Sequence, residues 1–113
     1  MTSQGTAYGR FARAVRSGDV LQAELAAREV GALSLADALS LCEMLAQRDP
    51  QRFERAARRW LQRFIEERTP SLPEIALAAA ALSDMRHGRG GGGTATLRAL
   101  LRSASRRSRP AGG

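Results

Sequence analysis

The chain has 113 residues, 26% charged and 43% hydrophobic, with 18 basic and 11 acidic side chains and a formal net charge of +7. That length admits one small domain with a single modest core and is too short for two. No apolar run approaches the ~18 residues that span a membrane, the N-terminus lacks the apolar stretch of a secretory signal, and a lone cysteine excludes an internal disulfide. One Cys and one His cannot build a zinc site of the usual kind, which wants about four ligands.

All 18 basic residues are arginine, and 21 residues are alanine. Such a bias fits GC-rich codon usage and needs no special guanidinium chemistry. The charge is unevenly placed. Residues 1–85 carry 11 arginines and 11 acids, whereas residues 86–113 carry seven arginines and no acid.

In chain order, residues 1–5 are expected to fray. A first helix spans Ala7–Arg16, with Tyr8, Phe11, Ala12 and Val15 on one face. Ser17-Gly18-Asp19 stops it, and Asp19 can N-cap a second helix, Val20–Val30. That helix is expected to bury Leu21, Leu25 and Val30.

Ser34 caps a third helix, Leu35–Gln47, whose stripe is Leu35, Leu39, Cys42 and Ala46. Asp49-Pro50 reads as N-cap plus N1 proline of a fourth helix, Pro50–Arg68. Phe53, Ala57, Trp60, Leu61 and Phe64 form its stripe, with Ile65 beside it. Ser71-Leu72-Pro73-Glu74 is a capping box that starts a fifth helix, Leu72–Met85. Ile75, Ala79, Leu82 and Met85 are expected to face inward. No period-two run of β-branched residues appears, so no sheet is expected.

The predicted fold is therefore all-α: a bundle of five short helices over residues 6–86. Residues 87–113 read as a flexible basic Gly/Arg-rich tail, with a short amphipathic helix at 95–106 as an option. So small a core yields only a few kcal/mol of net stability, which favours a stabilising partner or self-association.

Leu33-Ser34-Leu35-Ala36-Asp37-Ala38-Leu39, Asp49-Pro50 and Phe53-Glu54-Arg55-Ala56-Ala57-Arg58-Arg59-Trp60-Leu61 together look similar to a type of small all-helical protein of unknown function common in GC-rich bacteria. The resemblance covers about Phe11–Leu82. It implies an all-helical fold and brings no activity with it.

Candidate sites are few. Gly88-x-Gly90-x-x-Gly93 matches a dinucleotide fingerprint in form, but no strand precedes it, so no cofactor is expected. Cys42 lies on an apolar stripe, where a thiol packs as a small hydrophobe. Nothing fixes His87 against it. The segment Leu25–Ser34 resembles the start of a helix-turn-helix, yet the helix after it carries Asp37 and Glu43 and no base-reading arginine.

The candidate polyanion-binding residues are Arg52, Arg55, Arg59 and Arg63 on the fourth helix and Arg89, Arg98, Arg102, Arg106, Arg107 and Arg109 in the tail. The function expected from this pattern is a non-enzymatic helical interaction or adaptor module, cytoplasmic, with a protein partner or a second copy. The alternative is a nucleic-acid-binding accessory protein that uses these arginines.

Overall fold

Each early helix begins at a short polar residue whose side chain takes up an orphan backbone N–H. A computed structural model describes residues 6–88 and 91–108, the last five for backbone only. Thr6 caps α1 (Ala7–Ser17) by accepting from the Gly9 amide at 3.0 Å. Asp19 does the same for α2 (Val20–Val30), accepting from Gln22 at 3.1 Å. Ser34 caps α3 (Leu35–Arg48), and Asp49 both ends α3 and starts α4 (Pro50–Arg68). Ser71 opens α5 (Leu72–Arg86) with a complete capping box, its amide donating to Glu74 at 2.8 Å. A sixth helix, α6, spans Gly92–Ser108.

The described residues contain six helices, one more than expected, and no strand. They pack as three successive hairpins, α1–α2, α3–α4 and α5–α6, with the closest packing inside each hairpin. The shortest dimension is 19 Å, about two helix diameters.

The buried residues form two clusters, where chain length suggested one core. The larger unites α3, α4, α5 and α6 around Leu35, Leu39, Phe53, Trp60, Phe64 and Leu97. Trp60 and Phe64 stack with ring centroids 5.3 Å apart. The smaller cluster joins α1 and α2 to the other side of α3 through Phe11, Ala14, Ala23, Ala26 and Met44. Leu41 and Val20 touch both.

Two expectations are corrected here. First, α2 buries Ala23 and Ala26, while Leu21 and Leu25 stay 64% and 43% exposed. The two-residue turn Gly18-Asp19 brings α1 and α2 close, and only small residues fit between them. Gly18 takes the left-handed conformation (φ 76°) and lies under the Arg48 guanidinium. A Cβ at residue 18 would sit 2.4 Å from Arg48 Nη2.

Second, the helical domain does not stop at residue 86. Leu97 is wholly buried, and Leu100 and Leu101 nearly so, against α3, α4 and α5. Gly93, expected in a linker, is a point of close approach between α5 and α6. A Cβ there would lie 2.4 Å from the Ala81 carbonyl oxygen. Arg98 adds bonds to Ser40 Oγ (3.1 Å) and Glu43 (3.2 Å), and Arg68 reaches the Leu101 carbonyl at 3.3 Å. Residues 1–5, Arg89, Gly90 and 109–113 lie outside the described residues.

Candidate interaction surface

Helix α4 is strongly amphipathic, and its inward residues are Phe53, Ala57, Trp60 and Phe64. Helix α5 is different: apolar residues occur all round it. It buries Ala78, Ala81, Leu82 and Met85 and leaves Ala76, Leu77, Ala79 and Ala80 exposed. A helix that is apolar on every side is expected in a core. Here one side meets solvent. Leu72 is 80% exposed and Leu77 50%, and Ile65 of α4 is 37% exposed. Ile75 and Ala79, expected to face inward, are half-buried and exposed respectively.

Between the two helices runs a groove of about 360 Å³. Ala57, Leu61, Ala79 and Leu82 give it an apolar lining, and Glu54, Arg58, Arg86 and His87 form its rim. The Glu54 carboxylate holds Arg58 with one oxygen and Arg86 with the other, each at 3.5 Å. This bridge ties the first half of α4 to the end of α5. At the rim the exposed His87 ring Nδ1 hydrogen-bonds the Ser83 carbonyl at 2.9 Å.

The candidate arginines do not act as one row. Arg52 crosses to Glu24 on α2 and approaches Asp49 at 3.9 Å. Arg63 donates to Glu67 and to the Leu33 carbonyl, both at 2.8 Å. Arg98 is held by Ser40 and Glu43. Among the described residues, Arg55, Arg59 and Arg102 are exposed and have no acid within ion-pair distance. The side chains of Arg106 and Arg107, and all of Arg89 and Arg109, lie outside the described residues.

The acids of α3 are engaged as well. Asp37 accepts from the Ser34 amide-capping hydroxyl at 3.0 Å and from the Tyr8 hydroxyl at 3.3 Å, and Glu43 holds Arg98. The helix that would have to read bases is thus packed between α4 and α1.

Cys42 is buried, and burial pushes its thiol up to about 12, with the nearby Glu43 charge adding to the effect. A thiol that stays protonated is a poor nucleophile and a poor metal ligand. No group of His, Cys, Asp and Glu able to hold a metal occurs among the described residues. No helix among them is long and apolar enough to cross a membrane.

Sequence reasoning placed Ile65 beside the α4 stripe but gave no role to Leu72 and Leu77. The available signal was the apolar character of α5 on all sides, which one buried face cannot use up. Comparison with protein-family models, with curated proteins and with solved structures finds no match for this chain.

Proposed function

We propose that the protein is a non-enzymatic helical interaction module that binds another protein through the α4–α5 face. An apolar-lined groove of Ala57, Leu61, Ala79 and Leu82 between α4 and α5, with Leu72 80% exposed at the start of α5, carries this reading. A contiguous apolar face with a charged rim is the usual anatomy of a protein contact.

A photo-crosslinking amino acid at Ala76 tests the reading in living cells. A discrete protein adduct that disappears when Leu72→Asp is added supports it. No adduct from Ala76 overturns it.

The nucleic-acid reading retains Arg55, Arg59 and Arg102 as uncommitted cations among the described residues. Its test is duplex DNA binding across salt with Arg55→Ala and Arg59→Ala combined. Each lost phosphate contact lowers the log–log salt slope by about 0.9.

A further inference from the structure

We infer that the α4–α5 face receives a second copy of this chain, in a two-fold dimer with the two α4 helices antiparallel. The inference rests on the proposed role of that face. Two features of the face complement each other only across such an axis.

The first is charge. Arg58 and Glu66 flank a shallow surface depression whose apolar lining is Leu61 and Ile65. They are eight residues apart, a rise of about 12 Å, too far to pair within one chain. The Arg58 side chain is 80% exposed and meets only Glu54 at 3.5 Å. Glu66 accepts only from Gln62, at 3.3 Å. An antiparallel neighbour centred with Gln62 over Gln62 sets Arg58 against Glu66 of the second copy, twice over. It also brings Leu61 and Ile65 of each copy together.

The second is shape. Helices α4 and α5 are joined by a three-residue connection, and the Glu54–Arg86 ion pair spans the groove between them, which sets an antiparallel register with Glu54 level with Arg86. Continued along the hairpin, the same antiparallel register puts the exposed Leu72 level with Arg68. The rotation that pairs Arg58 with Glu66 carries that level onto Ala56 and Ala57. Leu72 of each copy therefore arrives at the groove of the other. A projecting leucine and a receiving groove on one face, and a cation and an anion on one face, are what an isologous contact requires. A single register satisfies both.

Sedimentation velocity of the full chain, from micromolar to submillimolar, tests the dimer. Wild type is expected to shift from monomer to dimer with concentration. Arg58→Glu and Glu66→Arg each weaken the dimer by about tenfold or more, since each places like charges together twice. Combined, they restore it to near the wild-type constant. Because these positions cannot meet within one helix, that rescue can only come from between copies. Leu72→Asp abolishes the dimer, and a retained cooperative thermal transition shows that each variant folds.

A monomer at every concentration overturns the inference, as does a dimer indifferent to Leu72→Asp or a double variant no better than the singles. A monomer that still gives the Leu72-dependent crosslink from Ala76 overturns self-association alone. Loss of both results overturns the reading of the surface as well.

Discussion

The indole Nε1 of Trp60 donates to the Leu35 backbone carbonyl at 2.8 Å. The bond joins the middle of α4 to the first residue of α3, inside the larger buried cluster. Three residues further along α4, Arg63 donates to the Leu33 carbonyl, also at 2.8 Å. Helix α4 thereby holds the start of α3 and the connection before it.

Trp60→Phe removes the donor and part of the ring volume while keeping an aromatic in place. Loss of one buried hydrogen bond and some packing should cost about 2 kcal/mol. Urea unfolding followed by circular dichroism measures this. A change within ~0.5 kcal/mol of wild type would show that the bond contributes little.

Deleting α6 should unfold the protein, although composition alone marks this region as an appendage. Leu97, Leu100 and Leu101 are all buried. Each contributes about 1.5–3 kcal/mol by leaving water, and their sum is comparable to the whole stability of a small domain. A truncation after residue 91 is therefore expected to lose its cooperative thermal transition. Retention of a sharp melt near the wild-type temperature would contradict the packing of α6.

Gly93→Ala separates close packing from helix propensity. In an exposed helix the change would stabilise by about 1 kcal/mol. Here the new methyl would press on the Ala81 carbonyl from 2.4 Å. Overpacking of that kind costs about 1–3 kcal/mol, so a net loss of stability is expected. Denaturant midpoints of the two proteins give the sign directly.

Cys42 makes stability fall at alkaline pH. Its thiol stays protonated in the fold up to about 12, against an ordinary value of 9.0. Below pH 9 both folded and unfolded chains hold the proton, and the stabilisation is fully present. Above pH 9 only the unfolded chain releases it, so stability declines as pH rises toward 12. Melting temperatures between pH 8 and 10.5 should drop more steeply in wild type than in Cys42→Ala. The same thiol should resist alkylation in the native protein and react once urea unfolds it.

The helix boundaries were the most legible part of the fold. Asp19, Ser34, Asp49-Pro50 and Ser71 through Glu74 are capping signals with a local mechanism, and each caps a helix. What depends on neighbours was not legible. Periodicity assigns the larger side chain to the core, but the tight α1–α2 turn admits Ala23 and Ala26 and expels Leu21 and Leu25. Glycine runs usually mark linkers, yet Gly93 is placed where only a hydrogen fits. Arg63 has a local i,i+4 partner in Glu67, but the Glu24 partner of Arg52, the Leu33 carbonyl bound by Arg63 and the Glu43 partner of Arg98 lie 28, 30 and 55 residues away, beyond any local pattern. The exposed apolar side of α5 was half visible, because α5 has more apolar residues than one buried side can hold.

The two buried clusters on either side of α3 set an order of opening. The smaller consists of one phenylalanine, one methionine and three alanines. It removes far less apolar area from water than the aromatic and leucine cluster opposite. Native-state hydrogen exchange should accordingly find α1 and α2 opening at a lower free energy than α4. Once that hairpin lifts, Met44 and Leu41 are uncovered while Leu39 and Trp60 remain enclosed. Such a result would make the two clusters separate cooperative units, with α3 as the wall they share.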